Sequence, residues 1–238
     1  GWVTFPLAFR LFHKLPDRGY TFSRILGLLL WGFAFWMLNT LTILQNQPGG
    51  IMLSMSILVG LSFWAGRGTW TEIWEWLQRH WRLVLISEIV FMVGFTFMSL
   101  VRGANPDATG TEKPMELAFI NAILNSDSFP PKDPWLSGYA ISYYHFGYIL
   151  AAMVAKLTST SGGLAFNLML ALIFGMSALG AYGVLYNLLE LSGKQIKKRI
   201  QSLTWAVLGP IFLLFVSNLE IVLEMLHQAG VGWDMDTG

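Results

Sequence analysis

Three acidic residues lie close together in one polar segment of an otherwise apolar chain. Asp107, Glu112 and Glu116 fall within ten residues, between two apolar runs. A carboxylate in such a segment can accept a proton from a hydroxyl group as a general base. Glu112 and Glu116 are four positions apart, so a continuous helix places both on one face. The dipole of a helix also favours acids in its first turn, and for a single glutamate this is the simpler explanation.

Basic and aromatic side chains accompany these acids. Arg102 and Lys113 carry positive charge that suits a phosphate group. Aromatic rings can stack on a sugar or border an isoprenoid chain, although rings at this position are also typical of a membrane aromatic belt. The combination fits glycosyl transfer from a lipid-phosphate donor. The other candidate binding residues are Asp133, Trp135, Tyr139, Tyr143, Tyr144 and His145.

Composition excludes several kinds of site. The chain has no Cys, so it has no disulfide, thiol nucleophile or thiolate metal site. His145 alone does not specify a metal cage, and there is no phosphate-binding glycine motif. The formal net charge is +1, and no basic stripe indicates a nucleic-acid partner. The sequence therefore predicts no cofactor and leaves only a divalent metal open.

The elements that must position these residues are membrane helices. Hydrophobic residues make up 54% of the chain and charged residues only 12%, with a mean hydropathy of +0.53. Several runs approach the roughly 20 apolar residues that cross a bilayer. We predict an all-α, polytopic transmembrane helix bundle, multi-pass in the plasma membrane and surrounded by membrane lipid. Residues 1–238 form one membrane domain. Because the sequence begins within an apolar stretch, we expect a fragment of a longer protein.

Apolar runs and loops define the predicted topology. The amphipathic stretch 69–81 should lie in the membrane interface, and 102–138 should be an external polar loop. Helical spacing of apolar residues predicts a surface helix over 114–125, with Glu112 at its start, because Pro114 is tolerated in a first turn. The predicted spans are 25–44, 51–66, 82–101, 139–157, 163–191 and 203–227, preceded by the end of another at 1–12.

Charge in the loops orients the bundle. The basic loops 10–24 and 67–82 should share the cytoplasmic side, which leaves 102–138 outside. Counting the predicted spans from these loops places the basic loop 191–201 outside as well. Either one of the apolar runs does not cross the membrane, or the positive-inside rule fails at this loop. Within the span 82–101, Glu88 needs a polar partner, which makes it a functional candidate by default. The alternative is an acid near the interface that reaches Arg82 or water.

Several longer motifs carry a family resemblance. The segments "LPDRGY" (15–20), "SEIVF" (87–91), "RGANPDATGTEKPMELAFINAIL" (102–124) and "FPPKDPWLSGYAISYYHFGY" (129–148) resemble the YYY membrane-protein family, named for its tyrosines. That family is regarded as similar to the GT-C glycosyltransferases, which use lipid-phosphate sugar donors. The resemblance implies a GT-C-like bundle with a loop acid as the base. Glu112 matches that acid best, Asp107 is the competing choice, and Glu116 stands where the family usually has Asp.

The resulting hypothesis is an integral membrane glycosyltransferase with a polyprenyl-phosphate sugar donor. Arg102 and Lys113 would hold the donor phosphate, and Tyr143, Tyr144 and His145 would shape the pocket. A transporter or flippase for a lipid-linked or small polar solute is the alternative, because it explains Glu88 without chemistry. A non-catalytic assembly subunit is a third possibility that the sequence leaves open.

Overall fold

A computed structural model describes residues 1–136, 138–192 and 199–231, and within these ranges all regular elements are helices. The predicted all-α class is confirmed. The helices are α1 (Phe5–Leu11), α2 (Ser23–Thr40), α3 (Pro48–Gly66), α4 (Trp70–Arg79), α5 (Trp81–Ala104), α6 (Lys113–Asn125), α7 (Phe146–Thr158), α8 (Gly162–Ser192), α9 (Arg199–Trp205), α10 (Leu208–Leu214) and α11 (Leu219–Gln228), with a 3₁₀ turn at Val216–Asn218.

Three of these helices, α3, α5 and α8, are long and apolar enough to cross a membrane. Helices α5 and α8 pack antiparallel at a glycine contact. A Cβ atom added to Gly175 would lie 3.0 Å from the carbonyl oxygen of Phe91, and one added to Gly94 would lie 3.2 Å from Cα of Gly175. Small residues thus let the two backbones approach closely, as is common between membrane helices. Helix α2 runs antiparallel to α3, where Trp31 donates a hydrogen bond to the Ile51 carbonyl at 3.0 Å.

Helix α7 does not cross the bundle, so the predicted span 139–157 is wrong. It has 13 residues, a length of about 20 Å. Phe146, at its start, packs against Trp36 near the end of α2, with ring centroids 5.7 Å apart. Near its other end, the Lys156 Nζ donates to the carbonyl oxygen of Asn46 in the loop that follows α2, at 2.6 Å. Both ends of α7 therefore lie at the same end of the bundle.

The residues before α7 stay extended because their backbone pairs with an earlier segment. The N–H of Asp133 donates to the Tyr139 carbonyl at 2.9 Å, and the N–H of Ile141 donates to the Pro131 carbonyl at 3.0 Å. A helix beginning at 139 would need the Tyr139 carbonyl for its own first hydrogen bond, but here that carbonyl is already paired. The apolar segment 139–157 is therefore divided between a loop with paired backbone and a short helix.

The position of α7 removes the conflict in the charge distribution. The N–H of Asp17, in the α1–α2 loop, donates to Asn187 Oδ1 of α8 at 3.1 Å, so α8 ends beside that basic loop. Tyr20 and Trp76 stack with centroids 6.1 Å apart, which places α4 at the same end. The polar segment 102–138 follows the opposite end of α5. Most of the basic loop 191–201 lies outside the described residues.

The predicted last span, 203–227, is also wrong, because the described chain breaks there into α9, α10, a 3₁₀ turn and α11. Pro210 has no N–H with which to bond the carbonyl of Ala206, one turn earlier, and this missing bond accounts for the interruption between α9 and α10. Helix α10 begins instead at Leu208, and its Gly209 packs on α8, where an added Cβ would lie 2.5 Å from the Ala181 carbonyl oxygen.

Helix α6 has the faces that its sequence predicts. Phe119 and Ile123 are buried and belong to a core cluster shared with α7, whereas Asn121 and Asn125 are exposed. Buried Asn46 donates to the carbonyls of Ile123 at 2.7 Å and Ser126 at 2.6 Å. These bonds satisfy carbonyl groups that the end of a helix leaves unpaired, and they fix α6 to the α2–α3 loop.

Candidate functional site

The start of α6 positions two of the candidate acids. The helix begins at Lys113 with Pro114 in its first turn, Glu112 is the N-cap residue, and Glu116 lies in the first turn. Thr111, with φ of +49°, turns the chain into the helix. Glu112 is exposed and Glu116 is half-buried, so the first faces solvent and the second faces the bundle.

The tyrosines before α7 meet the first of these acids. The Tyr144 hydroxyl donates to Glu112 Oε2 at 3.5 Å, a long hydrogen bond. The Tyr143 and Tyr144 ring centroids are 3.9 Å apart, and Tyr143 lies nearly parallel to Phe119 of α6, with centroids 5.9 Å apart and a 28° angle. The core contact with Phe119 thus holds this pair of rings beside the carboxylate.

The Tyr144 hydroxyl remains a proton donor at neutral pH. Hydrogen bonding with the Tyr143 side chain is the main cause that raises the pKa of Tyr144 above its ordinary value, and the negative charge of Glu112 acts in the same direction. A phenol with a raised pKa keeps its proton and can share it with a carboxylate or a bound hydroxyl group.

Arg102 organises the loop that carries Asp107. Its Nε donates to Asn167 Oδ1 of α8 at 2.7 Å, and its Nη2 donates to the backbone carbonyl of Asp107 at 3.0 Å. The Asn167 Nδ2 donates to the Pro106 carbonyl at 3.1 Å. The Asp107 side chain remains exposed. Arg102 therefore acts first as a link between α5, α8 and the acid loop, in which Asn167 is a partner that sequence reasoning missed.

The proline-rich loop 129–141 brings Trp135 to the same aromatic group. Trp135 packs edge-on against Phe119, with centroids 5.4 Å apart. Asp133 Oδ1 accepts the N–H groups of Trp135 at 2.8 Å and Leu136 at 2.9 Å, so this carboxylate stabilises the turn below the indole ring. Tyr139 is exposed.

Two further predicted binding residues are His145, which contacts α2, and Lys113, the first residue of α6. The His145 ring Nδ1 lies 2.8 Å from the Tyr143 carbonyl oxygen, and the ring packs edge-on against Trp36 of α2, at 6.3 Å. Lys113 is half-buried at the start of α6. In the part of the chain that the structure describes, no group of three His, Asp or Glu side chains could hold a metal ion.

A small cavity opens beside these acids, between α2, α6, α7 and α8. Glu116 and Tyr148 line it, together with apolar residues, and its volume is about 200 Å³. The Tyr148 hydroxyl is buried, and the Tyr144 side chain is its polar neighbour. Tyr148 was absent from the predicted site. Its spacing of four from Tyr144 is the signal in the sequence, because both rings project to one side, with centroids 6.2 Å apart.

Comparison with known proteins identifies the family. Residues 30–235 match the family model described as uncharacterised membrane protein, DUF2298. The chain belongs to this family. No curated protein and no solved structure matches it. The DUF2298 match covers the whole candidate site, from Arg102 to Tyr148, and agrees with the three apolar helices that are long enough to cross a membrane.

Elsewhere in this DUF2298 protein, Glu88 forms an ion pair within the bundle. Its Oε2 lies 2.6 Å from Arg24 Nη2, and its Oε1 accepts the Tyr20 hydroxyl at 3.0 Å. The Arg24 guanidinium also lies 3.7 Å from the centroid of the Phe91 ring. The predicted partner, Arg82, lies instead over the Trp81 ring. The alternative in which Glu88 reaches Arg82 is therefore wrong, because the side chain of Arg24, at the start of α2, reaches the Glu88 carboxylate instead.

Proposed function

We propose that this DUF2298 protein is an integral membrane glycosyltransferase of GT-C type, which transfers a sugar from a polyprenyl-phosphate donor at the external face of the plasma membrane. The main support is the contact of the Glu112 carboxylate with the Tyr144 hydroxyl at 3.5 Å, beside the cavity lined by Glu116. An exposed carboxylate next to an apolar cavity suits a substrate with a polar head and a hydrocarbon chain.

Glu112 is the proposed base. In the transfer step its carboxylate takes the proton of the acceptor hydroxyl, and the acceptor oxygen bonds to the anomeric carbon of the sugar. The bond between that carbon and the phosphate oxygen breaks, and the lipid phosphate leaves with the electron pair. Asp107 is the alternative base, since Arg102 and Asn167 hold its loop in place while its own carboxylate remains exposed.

The charged and aromatic neighbours have complementary proposed roles. Lys113 follows Glu112 directly and is the cation nearest in sequence to the base, so it is the proposed contact for the donor phosphate. Arg102 is a positioning residue, because two of its nitrogen atoms already bind Asn167 and the Asp107 carbonyl. The exposed rings of Trp135 and Tyr143 provide flat surfaces on which a sugar can stack.

Sugar transfer in proteoliposomes tests the proposal. The full chain is reconstituted with a series of radiolabelled polyprenyl-phosphate sugars, and transfer to extracted lipid or protein is counted. Loss of a general base lowers the rate by about 10²- to 10⁴-fold, which is the expected effect of Glu112→Gln. The control is Glu75→Gln, an exposed glutamate at the other end of the bundle, paired with Arg79. Normal transfer by a Glu112→Gln, Asp107→Asn double variant would remove both residues from the base role.

One observation favours the alternative of a transporter or flippase. A second cavity of about 350 Å³, lined in part by Arg24, shares Leu28 and Met176 with the Glu116 cavity. The two cavities thus lie next to each other along the bundle, which a path for a lipid-linked solute would require. A flippase would move a fluorescent lipid-linked sugar between leaflets, measured by its protection from an external quencher, without producing any transferred sugar.

A further inference from the structure

Helix α4 carries a stripe of exposed tryptophan at the end of the bundle opposite the candidate site. Ile73 and Trp76 are buried, whereas Trp70 and Trp74 are 44% and 62% exposed. Residues four apart lie on one face of a helix, so these two exposed rings form a single stripe beside the buried face. Indole rings in such a position are typical of the head-group layer of a membrane.

The charged side chains of α4 point away from this tryptophan stripe. A helix turns by about 100° per residue, which places Glu72 and Arg79 roughly half a turn from Trp70 and Trp74. Glu72, Glu75 and Arg79 are all exposed, and the Arg79 Nη2 lies 2.8 Å from Glu75 Oε2. The acids of α4 are therefore on its water-facing side, together with Arg79.

Two arginines lie beside the last turn of α3, next to the stripe. The Arg10 guanidinium is 5.5 Å from the centroid of the Trp64 ring. Arg67 is the C-cap residue of α3, and its N–H donates to the Trp64 carbonyl at 3.2 Å. A Cβ atom added to Gly66 would lie 2.7 Å from Trp70 Cζ2, so the Trp70 ring lies against the same turn. The end of α3 thus brings two cations together with the rings of Trp64 and Trp70.

Neither arginine has an acidic partner within the described part of the chain. Arg10 and Arg67 are exposed, and the ion pairs among the described residues involve Arg24, Arg79 and His227 instead. A guanidinium group binds a phosphate through two parallel hydrogen bonds. Helix α3 is long and apolar enough to cross a membrane, so a cation at its end lies at the depth of the lipid phosphates. These two arginines therefore match the phosphate of a membrane lipid.

We propose that the end of α3 binds an anionic phospholipid, whose phosphate contacts Arg10 and Arg67 and whose glycerol and upper acyl chains pack against Trp64 and Trp70. Basic side chains near a membrane surface attract anionic lipid. The head group of a zwitterionic lipid adds a positive charge, which the two arginines would repel. This site is separate from the acids of 102–138, and its binding of lipid does not depend on the proposed sugar transfer.

Native mass spectrometry tests the proposal. The protein is reconstituted in nanodiscs with equal amounts of phosphatidylglycerol and phosphatidylcholine, and the lipids that stay bound after release are counted. Each basic side chain near a membrane surface contributes about a fivefold preference for anionic lipid, so the two arginines should retain at least roughly tenfold more phosphatidylglycerol. Arg10→Gln and Arg67→Gln should each lower this preference about fivefold, and the double variant should abolish it. Equal retention of the two lipids by the unchanged protein would overturn the proposal.

Arg79→Gln is the matched control. It removes the same charge from the same end of the bundle, but from the water-facing side of α4, so the lipid preference should not change. A loss equal to that of Arg10→Gln would show that net charge alone attracts the lipid, and it would overturn the site. Trp64→Leu keeps both charges but removes the ring beside Arg10, and it should lower the retention of phosphatidylglycerol about two- to fivefold. Unchanged retention would contradict the proposed contacts.

The same spectra distinguish the lipid from other occupants. Soluble glycerol 3-phosphate should not displace the lipid, because the indole rings contact only its glycerol and acyl region. Displacement would mean that a free phosphate ester occupies the site, and a dimer that forms without phosphatidylglycerol would mean that a second copy of the chain covers the stripe. Either result would overturn the proposal. Circular dichroism should show the same helical content in every variant, because Arg10 and Arg67 are exposed.

Discussion

Removal of the Glu88 carboxylate should destabilise the bundle measurably. Loss of one partner from a buried ion pair costs about 3–5 kcal/mol. The Arg24 and Glu88 side chains keep 21% and 33% of their surface exposed, and solvent screening lowers that figure. We therefore expect Glu88→Ala to lower the free energy of unfolding by roughly 2 kcal/mol, of which the hydrogen bond from Tyr20 accounts for about 1 kcal/mol.

A double-mutant cycle isolates the pair. Glu88→Ala, Arg24→Met and the double variant are unfolded in mixed detergent micelles, and the helical signal is followed as the denaturing detergent is increased. Arg24→Met also loses the contact with the Phe91 ring, but the cycle cancels that term. We expect the double variant to be less destabilised than the sum of the single variants by roughly 1–2 kcal/mol, because no unpaired charge remains.

Additive losses would refute this reasoning, since they would mean that the charges do not interact despite the 2.6 Å separation. The exposed pair of Glu75 and Arg79, on α4, provides the comparison. There Glu75→Ala should change the stability by less than about 0.5 kcal/mol.

The remaining predictions concern the two ends of the bundle. Asp17 is fully buried and accepts three hydrogen bonds within its loop, so Asp17→Ala should lower the unfolding free energy by about 2–3 kcal/mol, measured in the same micelle titration; a change below 0.5 kcal/mol would contradict it. Cysteines introduced as Thr109→Cys and Gln78→Cys should react with an impermeant maleimide from opposite faces of a vesicle, and equal reaction from one face would refute the topology. Arg102→Ala should speed proteolysis in the loop at 105–107, because its links to Asn167 and the Asp107 carbonyl are lost; unchanged cleavage would show that the loop is held by other contacts.

Local patterns predicted α6 and the position of Glu112 at its start, but not that Glu112 would face solvent while Glu116 faces the bundle. The helical spacing of Phe119 and Ile123 sets the buried face, and Pro114 sets the start of the helix, so both features depend on neighbours in the sequence. The meeting of Glu112 with Tyr144 follows because α6 and α7 share a core. These features lie within one continuous segment, where sequence distance is a fair guide to distance in space.

Contacts between distant helices were not predictable in the same way. Arg82 is nearer to Glu88 in the sequence than Arg24 is, yet the fold brings the Arg24 side chain, from the start of α2, to the Glu88 carboxylate. Likewise, the apolar composition of 139–157 is the same whether the segment crosses a bilayer or lies within one end of a bundle. Contacts of the folded chain, such as the bond of Lys156 with the Asn46 carbonyl, distinguish the two arrangements.

The short length of α7 has a consequence for biogenesis. A helix of about 20 Å is too short for the roughly 30 Å hydrocarbon layer, so α7 cannot be stable as an independently inserted helix. It needs neighbours to hold it, and α2 and α6, with which it shares a core cluster, are both synthesised before it. A nascent chain that ends at Thr158 therefore carries every acid and tyrosine of the site together with the two helices that hold α7 in place.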